Sequence, residues 1–154
     1  PMITVEEVKS AIEQNLAGKF SDLKTDVRRV FITVQPQDIV EACRMLREKL
    51  DSFHISTISG RDTTANIEIN YHFARPGVVV TVKTLVDRQS PAVRTITEVY
   101  PGATLYEREV HDILGVKFEG HPDPRRLVLP DDWPDGVYPL RKDWQYDRET
   151  EVIK

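Results

Sequence analysis

Acidic, basic and imidazole side chains are concentrated in residues 106–126, which read YEREVHDILGVKFEGHPDPRR. Glu107 and His111 are four residues apart, as are Arg108 and Asp112, a spacing that places both pairs on the surface of a helix. One interpretation is a general acid–base site that uses His111 with Glu107 or Asp112. The other is a solvated helix surface with weak ion pairs, which we favour because such pairs are common on helices and unspecific.

A metal site is the second chemical possibility, through His111, Asp112, His121 and Asp123. Their spacing fits no zinc motif, because the chain has no HExxH and only one cysteine. His121 precedes Pro122, so we expect it on extended or turn backbone, where its ring can bond neighbouring carbonyls. G-x-S-x-G, G-x-G-x-x-G and Walker motifs are also missing, so serine-hydrolase and nucleotide sites have no support. A stand-alone metal-dependent hydrolase using His111 and His121 remains an alternative from another class.

Two basic pairs, Arg125-Arg126 and Arg141-Lys142, lie close to acidic residues. Guanidinium groups form bidentate pairs with carboxylates across protein interfaces. Residues 121–154 contain eight acidic and six basic residues, which does not fit a phosphate-binding surface. Alternating charges with interspersed tryptophan and leucine are typical of protein–protein contacts. We therefore predict a docking surface here rather than a catalytic site.

The bulk properties are typical of one globular domain with a substantial core. The chain has 154 residues, 40% hydrophobic and 30% charged. Its net charge of −4 argues against non-specific nucleic-acid binding, and the polar strand surface at Asn66 and Asn70 includes Glu68 rather than a basic cluster. We therefore expect no nucleic-acid partner.

The single cysteine bears on cofactors and on location. Cys43 alone allows no internal disulfide and no cysteine-held iron–sulfur cluster in this chain. It has helical spacing with Ile39 and Leu46, so we expect an unreactive thiol in the core. No secretory leader or membrane-length apolar run is visible, and we expect a reducing, cytoplasmic location.

Periodic apolar residues predict an α+β fold, with helices packed on a small mixed or antiparallel sheet. Thr4 and Glu7 form a capping box before a helix that ends at Gly18, and a second helix is predicted over residues 36–50. Strands are predicted over residues 27–34, 54–59, 65–73 and 78–86, the last two joined by a turn and antiparallel. His72 falls on the polar side of its strand, where we expect a solvated ring.

The region after residue 89 is predicted to contain two short helices and then a long arm. Ser90-Pro91 is expected to begin the first helix, and Thr104 with Glu107 repeats the capping-box spacing before the second, which stops at Gly115. Residues 1–117 are assigned to a globular α+β part and residues 118–154 to an extended C-terminal docking arm of the same domain. Five of the ten prolines follow Gly120, which forbids a helix or central strand, and the large apolar groups there must be buried against something.

An ordered series of residues in the second half of the chain forms the patterns ERExxDxxG, GHPxxRR and PLRKD. Its members are Glu107, Arg108, Glu109, Asp112, Gly115, Gly120, His121, Pro122, Arg125, Arg126, Pro139, Leu140, Arg141, Lys142 and Asp143. The series resembles the signature of the 30 kDa subunit family of respiratory complex I, the C-like subunits of NADH dehydrogenase. That family includes the homologous subunit of membrane-bound energy-converting nickel–iron hydrogenases.

The resemblance implies a scaffold subunit with no redox centre of its own, on the cytoplasmic peripheral arm of a membrane complex. Other subunits would carry iron–sulfur clusters and, in hydrogenases, a nickel–iron site. The implied partners are the large catalytic subunit and the small iron–sulfur subunit, with the membrane arm reached only indirectly.

The resemblance also assigns roles by position. The acidic and basic residues of ERExxD would shape the packing of the signature helix. The charged residues of the later motifs would hold the arm against the partners, in a segment that also contains Trp133 and Trp144.

Two features favour the compact hydrogenase branch of the family, or an archaeal relative that uses ferredoxin or a deazaflavin donor, and of these we favour the hydrogenase type. The phrase before the first motif reads VYPGATLYERE, without the tryptophans of many quinone-reducing members, and the sequence stops ten residues after Trp144. The alternative is the corresponding subunit of an oxidoreductase that passes electrons from NADH, ferredoxin or the deazaflavin F(420)H(2) to a quinone or phenazine.

Overall fold

The computed structural model describes residues 2–50 and 53–145. These residues form three α-helices, a five-stranded sheet and a separate two-stranded sheet, so the predicted α+β class is confirmed. In chain order the elements are α1 (Val5–Asn15), β1 (Ser21–Thr25), β2 (Arg29–Thr33), α2 (Ile39–Glu48), β3 (His54–Asp62), β4 (Asn66–Arg75), β5 (Val78–Asp87), β6 (Ala92–Arg94), α3 (Ala103–Leu114) and β7 (Lys117–Glu119).

The first two helices form in the predicted regions but are shorter than predicted, since α1 ends at Asn15 rather than at Gly18 and α2 spans Ile39–Glu48. The Thr4 hydroxyl accepts the Glu7 N–H at 3.1 Å and caps α1, as the capping spacing predicted. A 3-10 turn at Pro36–Asp38 precedes α2, whose apolar side includes the fully buried Cys43. Burial raises the pKa of that thiol, which fits the predicted unreactive role.

The five-stranded sheet has the order β1-β2-β5-β4-β3. All its neighbouring pairs are antiparallel except β2 and β5, which run parallel. On β4 the side chains alternate between the core and the opposite side of the sheet, as predicted. Ile67, Ile69, Tyr71 and Phe73 are fully buried, and they give the core the central part of its sheet surface.

The prediction of a solvated ring at His72 is wrong. His72 is half-buried on β4, with Nε2 3.2 Å from Ser59 Oγ and Nδ1 3.0 Å from Thr81 Oγ1. Burial lowers its pKa. The neighbouring strands supply the two hydroxyls, which a pattern within one strand does not reveal.

The prediction of a helix beginning at Ser90-Pro91 is wrong, because this segment contains strand β6. β6 pairs parallel with β7, with Val93 opposite Phe118. The strand partner lies about 25 positions away, and short apolar runs do not distinguish strand from helix by spacing alone. Strands β1, β6 and β7 are all absent from the sequence prediction.

No helix or strand follows β7 as far as residue 145, in agreement with the proline content. The arm does not project away, however. Hydrogen bonds join it to α3 along its length, and Leu140 N–H donates to Ile113 O at 3.0 Å. The last nine positions of the predicted arm, residues 146–154, lie outside the described residues.

Candidate functional site

The signature helix α3 departs from the predicted pattern at its start and follows it at its end. Gly102 occupies the N-cap position, and the Thr104 hydroxyl donates to Pro101 O at 2.7 Å, so the predicted capping box with Glu107 is wrong. Gly115 ends the helix with φ of 79°, a left-handed conformation that favours glycine. A Cβ there would also lie 2.5 Å from the ring of Tyr138, so the arm packs directly against this glycine.

Glu107 lies in the core and does not form the predicted surface pair with His111. Its carboxylate is fully buried and accepts hydrogen bonds from the Thr95 hydroxyl and, at 2.9 Å, from Ile96 N–H. His121 Nε2 lies 3.8 Å from its Oε1. Burial raises the pKa of Glu107 to about 7, against the opposing effect of the two hydrogen bonds. This carboxylate therefore joins α3 to the segment after β6.

The two histidines of the motif region bond to backbone. His111 Nδ1 lies 2.9 Å from Val116 O. In His121, Nδ1 accepts the Asp123 N–H at 3.0 Å, so the ring proton is assigned to Nε2, which donates to Thr104 O at 3.0 Å. Both rings therefore fix the local backbone. Over the described parts of the chain, no three His, Cys, Asp or Glu residues form a group that could hold a metal ion. These contacts do not favour the hydrolase interpretation.

Arg108 holds the arm by its backbone and is not paired with Asp112 as predicted. Its Nε donates to Arg125 O at 2.8 Å and its Nη2 to Arg126 O at 2.9 Å. Asp123 Oδ2 lies 3.7 Å from its Nη1. The guanidinium fork thus spans two consecutive carbonyls, a geometry that a lysine could not reproduce.

Asp112 receives the next part of the arm. Its side chain is buried, and Oδ2 accepts the backbone N–H groups of Leu127, Val128 and Leu129 at 2.8, 2.9 and 3.3 Å. Arg108 and Asp112 therefore grip consecutive segments of the arm, one through carbonyls and the other through amides. Arg108 and Asp112 do have helical spacing, but they bind the backbone of residues 125–129 rather than each other.

The first arginine pair forms contacts within the arm. Arg125 makes a bidentate pair with Asp123 at 2.7 and 2.8 Å, which holds the pKa of that carboxyl well below its usual range. Arg126 donates to Pro130 O at 3.0 Å and to Asp135 Oδ1 at 2.7 Å. The side chain of Arg125 is 80% exposed, whereas that of Arg126 is 25% exposed, so only Arg125 extends into solvent.

A second clasp fixes the PLRKD motif to the globular part. Arg141 donates from Nε to Leu114 O at 2.6 Å and from Nη1 to Arg88 O at 3.0 Å. Asp62 Oδ2 accepts the Lys142 N–H at 2.9 Å. Asp62 is itself buried and forms a bidentate pair with Arg88 at 2.8 Å for each bond. No motif in the sequence pointed to Asp62 or Arg88, because they lie far from the signature in the chain.

The remaining signature residues differ in exposure. Glu109, Gly120, Pro122, Leu140, Lys142 and Asp143 are exposed, whereas Trp133, Pro139 and Trp144 are half-buried. The two tryptophan rings lie 6.1 Å apart, and Trp133 Nε1 donates to Val137 O at 2.8 Å. The apolar side chains of the arm are only partly covered.

Large apolar groups around this helix and arm face solvent. Leu105 on α3 is 53% exposed, and Leu127, Val128 and Leu140 in the arm are 41%, 49% and 54% exposed. These four residues are here called the exposed leucine–valine set. A segment that leaves several large apolar side chains in solvent is a candidate protein interface. None of the helices in the described parts of the chain is long and apolar enough to cross a membrane.

Comparison with known proteins identifies the family of this chain and several relatives. Residues 32–150 match the family described as respiratory-chain NADH dehydrogenase, 30 Kd subunit. A subunit of the F(420)H(2) dehydrogenase of Methanosarcina mazei is 34% identical over 87% of this chain and 90% of its own length. Membrane-bound hydrogenase subunit beta of Pyrococcus furiosus is 29% identical over 92% of this chain and 87% of its own length.

A solved structure has the same fold. It is a chain of the membrane-bound sulfane sulfur reductase, an archaeal respiratory membrane complex, with a TM-score of 0.76 and 32% sequence identity. The match covers 90% of this chain and 83% of that one.

Proposed function

Because this chain belongs to the 30 kDa subunit family of respiratory-chain NADH dehydrogenase, a subunit type of respiratory and hydrogenase-related complexes, we propose that it is a scaffold subunit. It has no redox centre of its own and holds neighbouring subunits in register. Those neighbours carry the iron–sulfur clusters and, in a hydrogenase, the nickel–iron site. Fixed spacing between such centres is what electron transfer coupled to ion translocation requires.

The observation that supports this proposal most directly is the use of the signature side chains. Arg108, Asp112 and Arg141 hold the arm on α3 through backbone atoms. This arrangement leaves the exposed leucine–valine set facing solvent, on backbone that is hydrogen-bonded to α3 or belongs to it. A pre-ordered surface loses little conformational entropy on binding, which favours stable assembly.

The proposed partners are the large catalytic subunit and the small iron–sulfur subunit, with the membrane arm contacted only indirectly. The subunit belongs to the peripheral arm on the cytoplasmic side. The relatives support a multi-subunit membrane complex of this kind, since they include subunits of a membrane-bound hydrogenase and of a respiratory membrane complex.

The proposed complex is of the energy-converting, membrane-bound hydrogenase type. Support comes from the similarity to the Pyrococcus furiosus subunit over most of both chains. The second candidate is an oxidoreductase that passes electrons from F(420)H(2), NADH or ferredoxin to a quinone or phenazine. The similarity to the F(420)H(2) dehydrogenase subunit favours that candidate.

Purification of the tagged chain from its native membranes in mild detergent, followed by mass spectrometry, tests the proposal. Recovery of a nickel–iron hydrogenase-like large subunit with a small iron–sulfur subunit is the expected result. Recovery of a quinone- or F(420)H(2)-linked assembly would support the second candidate instead. A chain that emerges without other subunits would contradict the scaffold function.

A further inference from the structure

Asp112 has an unusual position among the buried acids of the described residues. Three carboxylates are buried, Asp62, Glu107 and Asp112. Asp62 pairs with Arg88, and both oxygens of Glu107 accept hydrogen bonds, from the Thr95 hydroxyl and from Ile96 N–H. Within the described part of the chain, Asp112 has no basic group within ion-pair distance. A buried carboxylate without a compensating cation is costly, so the isolated chain leaves a requirement unmet.

The two oxygens of Asp112 are used unequally. Oδ2 accepts the three amides of residues 127–129, whereas Oδ1 is buried and has no hydrogen-bond partner among the described residues. A carboxylate oxygen can accept two hydrogen bonds. The arm therefore satisfies one half of this carboxylate and leaves the other half available to a donor.

Asp112 lines a cavity of about 170 Å³ between α3 and the loop of residues 126–138. Trp133 and Tyr138 also line it. Arg126 lines it too, but its guanidinium nitrogens bond to Pro130 O, Asp131 O and the Asp135 carboxylate, so it does not pair with Asp112. Apart from His111, the ionisable groups lining the cavity are two acids, Asp112 and Asp135, and one base, Arg126.

We propose that this cavity receives a cationic side chain, arginine or lysine, from a partner subunit, which donates to Asp112 Oδ1. The inference rests on the proposed scaffold function and assigns one contact within it. The unpaired carboxylate oxygen supplies the charge complement, and the Trp133 ring suits a guanidinium or ammonium group through cation–π contact. Partner binding then supplies the donor that Oδ1 lacks, so Oδ2 of Asp112 serves to hold the arm and Oδ1 serves assembly.

The variant Asp112→Asn separates the two roles of this side chain. Only the amide oxygen accepts hydrogen bonds, so it takes the place of Oδ2 and keeps the amides of residues 127–129. The NH2 group then occupies the place of Oδ1. Because it is a donor, it cannot accept a hydrogen bond from an arginine or lysine side chain. We expect the isolated variant to melt at or above the wild-type temperature, while recovery of partner subunits with the tagged chain falls at least tenfold. Asp132→Asn, an exposed acid in the same loop, is the matched control and should assemble as wild type.

A second variant tests the cavity without changing a charge. Leu129 is one of the residues that line the cavity, so the larger side chain of Leu129→Trp is expected to fill the space and exclude the incoming group. Assembly should again fall at least tenfold while the isolated chain stays folded. In a structure of the assembled wild-type complex, a partner nitrogen should lie within hydrogen-bond distance of Asp112 Oδ1.

The outcomes distinguish this contact from the scaffold function. Normal assembly of Asp112→Asn and Leu129→Trp, or a water or metal ion at Oδ1 in the complex, would overturn the cation contact alone. A large loss of melting temperature in isolated Asp112→Asn would likewise show that the residue serves folding. Wild-type chain that recovers no partner subunit would overturn the scaffold function and the contact together.

Discussion

Glu107 and Asp112 lie on the same helix, yet different parts of the chain satisfy them. Thr95 and Ile96, near β6, hold Glu107 in the core, and the arm holds Asp112 through backbone amides. Both acids are thus structural links between segments that are distant in sequence. Their charges have consequences that mutation and pH can measure.

Glu107 should make the stability of the chain depend on pH. Its pKa is raised from 4.5 to about 7, so the folded state binds a proton that the unfolded state releases. The stabilisation that comes from binding this proton is therefore lost as pH rises from about 4.5 to about 7. The free energy of unfolding falls by on the order of 3 kcal/mol over that range. Glu107→Gln should remove this loss and be more stable than wild type at pH 8. Urea unfolding of wild type and Glu107→Gln at pH 5, 6, 7 and 8 measures this difference in the free energy of unfolding.

The test compares wild type with Glu107→Gln, because His72 changes the free energy of unfolding with pH in the opposite direction to Glu107. Its lowered pKa makes stability rise as pH increases through about 6.5. That effect is common to wild type and Glu107→Gln, so it cancels in their difference. Glu109→Gln, an exposed acid on the same helix, serves as the control. An unchanged pH dependence in Glu107→Gln would contradict the assignment.

At the scale of elements, α3 and the arm form one unit. The helix supplies side chains from Arg108 and Asp112, and the arm supplies backbone groups. The end of the helix at Gly115 and the PLRKD motif complete this packing. Proline content explains why the arm has no regular structure, but not where the arm lies.

Gly115 should tolerate alanine less well than another glycine in the same backbone conformation. Gly115 and Gly18 have φ of 79° and 76°, but an added Cβ at Gly18 meets no atom within 4 Å. Gly18→Ala should therefore cost only the backbone strain, about 1–2 kcal/mol. Gly115→Ala should cost more, because Tyr138 must move as well. Urea unfolding of both variants checks this, and equal losses would show that the contact with Tyr138 has no energetic role.

Arg141 should control local opening of the arm. Arg141→Lys cannot reach both Leu114 O and Arg88 O as the guanidinium does. Hydrogen exchange at the Leu140 and Lys142 amides, which donate to Ile113 O and Asp62, should become about tenfold faster, a change of about 1.4 kcal/mol in opening free energy. Lys142→Ala is the control, because the structure uses the backbone N–H of that residue. Unchanged hydrogen exchange in Arg141→Lys would show that the Arg141 hydrogen bonds do not hold the arm closed.

At the scale of the whole molecule, the chain places its helices on one side of a mixed sheet and lays the arm along α3. This arrangement leaves the exposed leucine–valine set on a helix and an arm that hydrogen bonds join to each other. Assembly and folding should therefore be separable by mutation on this surface.

Arg125→Glu should impair assembly more than folding. The side chain is 80% exposed, and its pair with Asp123 is a surface ion pair, which contributes little to stability because water screens it. The isolated variant should keep its melting temperature within a few degrees, while recovery of partner subunits falls. Arg28→Glu makes the same charge change at another exposed position and should assemble normally. Equal recovery of partners with both variants would exclude Arg125 from the interface.

The sequence by itself determined the features that depend on neighbouring residues. The cap at Thr4, the alternation of β4 and the hairpin to β5 follow from spacings of two to four residues. The ordered motifs after Glu107 were sufficient to indicate the family, which the comparisons confirm. They could not say which atoms of the motif residues are used.

Only the tertiary structure decided what each charged side chain contacts. The sequence predicted surface pairs for Glu107 and Arg108, but the structure buries the first and uses the second to hold the arm. Asp62 meets the Lys142 amide across 80 positions, and β6 meets β7 across about 25. The physical reason is that a buried charge or strand edge must be satisfied by whatever group the fold brings near. That group is fixed by long-range packing, not by local periodicity.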